Sequence, residues 1–177
     1  DMKGRNLHAD EAILIVGPSK AYLWIQAFGS PHFIMEIGLT RRRLSKYPRK
    51  MFRNTKRRLA NPPPAIVTDG YWGYPKAISK WFHRLSEHHI AEGFGKWPNQ
   101  QRIERLNGDA KGWCKERRWL KRIWSSRDIL YGWAVHHNFV EHDRRKQKTP
   151  AEAVGINIGL GRNKWLDLIR WSTKNSR

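Results

Sequence analysis

The chain has 177 residues, with 35 Lys and Arg against 15 Asp and Glu, a net charge of +20 and a pI near 10.7. That length suits one domain with its own core, and a hydrophobic content of 39% excludes a disordered polyelectrolyte. Such a charge points to a polyanionic partner. A single cysteine, Cys114, excludes an internal disulfide or a cysteine-rich zinc site, and the longest apolar runs, residues 12–16 and 21–25, fall far short of the roughly 20 residues a spanning helix needs. No membrane association is expected. The chain opens on Asp1 rather than methionine, which reads as a fragment or a processed chain with an upstream domain missing.

In chain order, residues 6–16, 21–28 and 32–39 read as three strands, rich in Ile, Val, Leu, Phe and Trp and separated by Gly-Pro and Gly-Ser-Pro turn signals. Residues 41–58 read as a helix with ten Lys and Arg and no acid, and Pro62-Pro63-Pro64 ends it. Residues 65–68 form a short buried strand leading to Asp69-Gly70. A helix over 75–82 and a last strand over 88–90 follow, then two long helices over 100–122 and 126–142. Thr149-Pro150-Ala151-Glu152 has the spacing of a capping box, and residues 163–172 form a short amphipathic helix. Three leading strands make a meander, and the later β-α-β alternation adds parallel strands on one edge. The expected fold is α/β and ribonuclease H-like: a mixed five-stranded sheet flanked by helices, spanning residues 1–156, with a helical tail over 157–177.

Three carboxylates stand out because acids are scarce. Asp10 lies inside an apolar strand, where an unpaired charge is costly. Alternation puts His8, Asp10, Ala12 and Leu14 on one face and Ala9, Glu11, Ile13 and Ile15 on the other, so only one of Asp10 and Glu11 is expected to face a given site. Asp69 ends a strand, and ligands of open α/β sheets bind at the carboxyl ends of strands. By itself each aspartate also fits a bland role, as an edge charge or a turn residue.

Glu104 shares a helix with an apolar face (Ile103, Leu106, Ala110, Trp113, Leu120) and heads a neighbouring face of Asn107, Lys111, Lys115, Arg118 and Arg122. That basic ladder would run about 27 Å at 1.5 Å per residue, suited to a line of phosphates, unless it is simply a solvated charged face. Gly108 and Gly112 mark either a close backbone approach or a local break. Arg41, Arg42 and Arg43 open the second basic tract. Most of the ten tryptophans sit at core spacing, and the adjacent histidine pairs read as packing or surface residues rather than metal ligands.

Five segments together carry a resemblance: His8-Ala9-Asp10-Glu11, Ile66-Val67-Thr68-Asp69-Gly70, Arg102-Ile103-Glu104-Arg105-Leu106-Asn107-Gly108, Asn138-Phe139 with His142, and Thr149-Pro150-Ala151-Glu152-Ala153. In this order they resemble the DDE transposases of prokaryotic insertion sequences, over nearly all of residues 7–156. The 34 residues between Asp69 and Glu104 match the short spacing of one large group. The resemblance implies a retroviral-integrase-like catalytic core with Asp10, Asp69 and Glu104 as the metal-binding triad for two Mg²⁺ (or Mn²⁺) ions. It further implies cleavage at transposon ends, strand transfer of the freed 3′-hydroxyl into target double-stranded DNA, a homodimer or higher synaptic complex, and a cytoplasmic, nucleoid-associated protein. Lys111 is then the expected phosphate contact near the metals.

Two departures from the family pattern are visible. The turn after the second strand reads Gly29-Ser30-Pro31 where the family usually carries an aspartate, and no helix-turn-helix precedes the core. Two rival readings remain: a non-catalytic DNA-binding remnant of a transposase, and a ribonuclease H-like nuclease that hydrolyses without joining.

Overall fold

A computed structural model describes residues 4–30, 32–91, 98, 100–116, 120–142 and 147–175. Its strands are β1 (Leu7–Val16), β2 (Ser19–Phe28), β3 (Ile34–Thr40), β4 (Ala65–Thr68) and β5 (Glu87–Ile90). The helices are α1 (Lys46–Arg58), α2 (Gly73–Phe82), α3 (Gln101–Glu116), α4 (Ile123–Phe139), α5 (Pro150–Ala153) and α6 (Lys164–Asn175). The five strands form one sheet in the order β3-β2-β1-β4-β5, antiparallel across β3-β2-β1 and parallel across β1-β4-β5. This is the mixed sheet the element order predicts.

Period-two alternation in β1 divides the core. Ala12, Leu14 and Val16 pack with Ile103, Leu106, Ala110, Leu130 and Trp133 of α3 and α4 on one face. Leu7 and Ala9 join Trp24, Phe28, Phe52, Tyr74, Ile78 and Phe82 on the other, under α1 and α2. Both faces are therefore covered where β4 is present. Beyond its end, Ile13 and Ile15 are about half exposed.

Some polar side chains inside this core are fully engaged. Asn138 of α4 accepts from the Ile34 N–H at 2.9 Å and donates to the Ile34 carbonyl at 2.8 Å, fastening α4 to the start of β3. The Asn138-Phe139 motif is thus structural. Asn138→Ala strands two buried backbone groups at about 1–3 kcal/mol each, so urea unfolding should show a loss of roughly 2–4 kcal/mol. The capping box forms at Thr149, whose hydroxyl accepts from the Glu152 N–H while the Glu152 carboxylate accepts from the Thr149 N–H.

The helix boundaries that bear on the basic tracts differ from expectation. Helix α1 begins at Lys46, which leaves Arg41, Arg42 and Arg43 in the connection from β3. Helix α3 is described only to Glu116, and Leu120 already pairs with Val16 of β1. Arg122 then stands at the N-cap of α4, so the continuous helix expected over 100–122 is not formed. The Gly17 N–H donates to the Leu120 carbonyl, and this tie to the sheet draws the chain out of helical geometry. Gly108 and Gly112 neither break α3 nor meet another backbone, since a side chain at either would point into open space. Helix α6 carries no buried residue. Among the described residues, no helix is long and apolar enough to cross a membrane.

Candidate active site

The parallel register of β1 and β4 builds the site. Leu7, His8 and Ala9 face Ile66, Val67 and Thr68 in turn, so Asp10 is level with Asp69 one residue past the end of β4. The Tyr71 N–H donates to Asp69 Oδ1 at 3.0 Å, an Asx turn that holds the carboxylate at the strand end. Asn107 of α3 donates from Nδ2 to Asp10 Oδ2 at 2.8 Å.

Glu11 belongs to this site, contrary to the alternation argument. Oxygens of Asp10, Glu11 and Asp69 all lie within 4.8 Å of one another. Because β4 stops at Thr68, nothing separates the two faces of β1 beyond it, and side chains from both faces can reach Asp69. The Glu11 carboxylate accepts from the Tyr74 hydroxyl at 2.7 Å and is ion-paired with Arg43. The Arg43 guanidinium also lies 3.6 Å from Asp69 Oδ2 and stacks 4.1 Å over the Tyr71 ring.

Burial, then the charges of Asp69 and Glu11 and, more weakly, of Glu104, pushes the Asp10 carboxyl up from 3.8 to about 7. Burial likewise raises the pKa of Glu11, against the opposing bonds from Tyr74 and Arg43. The Tyr74 hydroxyl is pushed well above its usual value by burial and by Glu11, so it stays a proton donor. Carboxylates packed this closely without enough positive charge are suited to a hard divalent cation, and all-oxygen donors favour Mg²⁺ or Mn²⁺.

Glu104 is exposed on α3, one turn before Asn107, and is not among the oxygens within that 4.8 Å group, although its charge is felt at Asp10. Its side chain makes no hydrogen bond or ion pair among the described residues. Asn107 departs from the expected DNA-facing ladder: it is 5% exposed and spends its amide on Asp10. A residue three positions after Glu104 turns far enough round the helix to meet the sheet. Lys111 and Lys115 are exposed on α3. Arg118 lies outside the described residues. Arg122, displaced onto α4, holds its guanidinium 5.7 Å over the Trp124 ring. Arg41 and Arg42 are exposed, with Arg41 donating to the Val16 carbonyl at 3.1 Å. Arg43 departs from a purely DNA-facing role because it already serves Glu11 and Asp69.

Glu11 and Tyr74 were missed as site residues, and Arg43 was expected only as a DNA contact, not beside the carboxylates. The only signal was the position of Glu11 beside Asp10; no spacing links it to Tyr74, 63 residues away.

The sheet, its order and its paired aspartates define a ribonuclease H-like core of the integrase type. Solved structures agree. The integrase catalytic core domain of HTLV-2 in complex with magnesium superposes with a TM-score of 0.64 at 13% identity, covering 85% of this chain and 95% of that one. The simian T-cell lymphotropic virus intasome in complex with PP2A regulatory subunit B56 gamma gives 0.63 at 13% identity, covering 89% and 56%. The catalytic core domain of BIV integrase gives 0.60 at 11% identity, covering 84% and 93%. No curated protein matches the chain. The DDE domain model of the IS240-type transposases matches residues 4–143. The chain belongs to that DDE transposase family, whose fold and chemistry are those of polynucleotidyl transferases.

Proposed function

We propose that this protein is an insertion-sequence transposase that cleaves DNA at element ends and joins the freed 3′-hydroxyl to target DNA. The observation that carries the reading is the placing of Asp10, inside β1, level with Asp69, just past the end of the parallel strand β4, with the Asp10 carboxyl raised to about 7 by burial and then by the neighbouring carboxylates. Asp10, Asp69 and Glu104 would hold two Mg²⁺ or Mn²⁺ ions, which when bound stabilise the attacking and leaving oxygens of an in-line displacement.

The remaining residues prepare that site. Asn107 orients Asp10, the Tyr71 N–H orients Asp69, and Arg43 with Tyr74 neutralises Glu11. Glu104, with no partner of its own among the described residues, is left to serve the ions. Water is the first nucleophile and the DNA 3′-hydroxyl the second, so no protein nucleophile is required. Lys111, Lys115, Arg41 and Arg42 would hold phosphates of double-stranded DNA on either side. Two copies or more would assemble to hold two ends, as the HTLV-2 core forms a dimer and a trimer, and the protein would work on nucleoid DNA in the cytoplasm.

Titrating Mg²⁺ or Mn²⁺ against an element-end duplex should yield nicked ends and then strands joined to target. Nicks without joined strands would make the protein a nuclease, and DNA binding without either product would make it a binding remnant. Binding itself should fall about 10³–10⁵-fold between 50 and 200 mM salt if six to ten phosphates are neutralised, and a flat salt response would remove the proposed basic tracts from the interface.

A further inference from the structure

Trp72 is 64% exposed, more than any other tryptophan among the described residues. Trp124 and Trp165, also on the surface, each have a neighbour over the ring: the Arg122 guanidinium and the His136 imidazole. For Trp72 the one ring contact among the described residues is Tyr71, at 5.5 Å between centroids. Tryptophan is on average a well-buried residue, so one left bare three residues after Asp69 calls for a partner.

The indole stands on a fixed backbone. Asp69 Oδ1 accepts from the Tyr71 N–H, and the Tyr74 N–H donates to the Tyr71 carbonyl at 3.1 Å as α2 begins. The Tyr71 ring takes the inward position, packed against Trp24 and Tyr74 with the Arg43 guanidinium over it. Gly73 leaves room for that ring, since a Cβ there would fall 2.5 Å from it. With Tyr71 turned in, Trp72 is left facing solvent at the N-cap of α2. Three residues of chain keep its Cα within about 11 Å of that of Asp69.

Positive charge surrounds this end of the sheet. The Tyr71 hydroxyl donates to the Arg43 carbonyl, so the connection carrying Arg41, Arg42 and Arg43 runs past the same ring. Lys46 and Lys76, in the first turns of α1 and α2, are exposed. Such cations attract a phosphate backbone, while the flat face of an indole suits a nucleobase. Inside a duplex every base is covered on both faces by its neighbours. A base face comes free where the stack is interrupted, and a strand cut at the carboxylates is interrupted there.

We propose that Trp72 stacks on the nucleobase flanking the phosphate that is cut, and so holds the strand end beside Asp10 and Asp69. That this base flanks a cut rests on the transposase reading; the stacking itself rests on the bare indole and its basic setting.

The test needs no metal. Its probes are an oligothymidylate of about ten nucleotides, whose base faces are open, and a dumbbell duplex closed at both ends, whose base faces are not. Trp72→Ala should bind the oligothymidylate about 5–150-fold more weakly than the parent chain, with the slope of log affinity against log salt unchanged, because stacking neutralises no phosphate. Binding of the dumbbell should stay within about twofold. Trp72→Phe, which keeps a stacking ring, should recover most of the loss, and Trp171→Ala, which removes an exposed indole from α6, should behave as the parent. An element-end duplex carrying the fluorescent base aminopurine beside the scissile phosphate should be quenched by the parent and not by Trp72→Ala.

Should Trp72→Ala fail to fold, Trp72→Leu carries the same measurements. Equal oligothymidylate binding by parent and variant, an equal loss with the dumbbell, or a Trp72→Phe chain as weak as Trp72→Ala would overturn the stacking. Quenching only when aminopurine lies deep within the duplex would overturn its placement at the cut. Absence of metal-dependent cleavage in the parent chain would sink the transposase reading and leave the oligothymidylate result standing, so the two fail separately.

Discussion

In metal-free buffer at pH 8, Asp10→Asn should melt higher than the parent chain. The folded state raises the Asp10 pKa from 3.8 to about 7, so the folded chain holds this proton more tightly than the unfolded chain does. The ionised carboxylate therefore costs nothing at about pH 4, costs more as pH climbs, and reaches its full cost above pH 7. At 1.36 kcal/mol per unit the ceiling is about 4 kcal/mol. Asp10 is only partly buried, and screening reduces the expected gain to about 1–2 kcal/mol, or roughly 2–8 °C in Tm for a chain of this size.

Asparagine can still accept the Asn107 bond, so the variant loses charge without losing its neighbour. The advantage should vanish near pH 4. Millimolar Mg²⁺ should raise the Tm of the parent and leave that of Asp10→Asn nearly unchanged, because only the parent keeps the Asp10 carboxylate that would help hold the ion. If the parent melts higher than the variant at pH 8 without metal, the carboxylate cluster is not under the strain described.

Glu104→Gln should lower metal-dependent cleavage by about 10³-fold or more, the rate equivalent of several kcal/mol of transition-state stabilisation. Glu11→Gln should cost only about 10–100-fold, the usual effect of disturbing a partner that orients the ligands. The difference follows from what each carboxylate already touches. Glu11 is held by Tyr74 and Arg43, so its charge is compensated within the protein. Glu104 is exposed and felt at Asp10, with no side-chain partner among the described residues to answer its charge. Single-turnover cleavage of an end duplex at saturating Mg²⁺ measures both. Were Glu11→Gln the inactive variant and Glu104→Gln the active one, the ions would belong to Asp10, Glu11 and Asp69.

Local patterns carried most of the architecture. Runs rich in Ile, Val, Leu, Phe and Trp marked β1 and β2 because both faces of the sheet are covered over much of their length, and a Gly-Pro turn separated them. The triple proline begins four residues past the last residue of α1 and bars the helix from resuming, since proline supplies no N–H to continue a helix. The Thr149–Glu152 box needs only neighbours in sequence, and it formed as spaced. Failures came where the outcome depends on a distant segment. Helix α3 looked continuous to residue 122 because nothing local forbids it, yet Leu120 pairs with Val16, more than a hundred residues earlier. Asn107 looked like one rung of a charged ladder until the sheet lay against its side of the helix.

Sequence alone determined the strand and helix order, the excess of positive charge and the two aspartates at strand positions, because each of these is written in neighbouring residues. Tertiary structure decided that β4 would stop beside Asp10, which opens the sheet so that Glu11, Tyr74 and Arg43 enter the site. Such groupings come from strand register and helix docking, and register is a property of paired segments that no single stretch of chain contains.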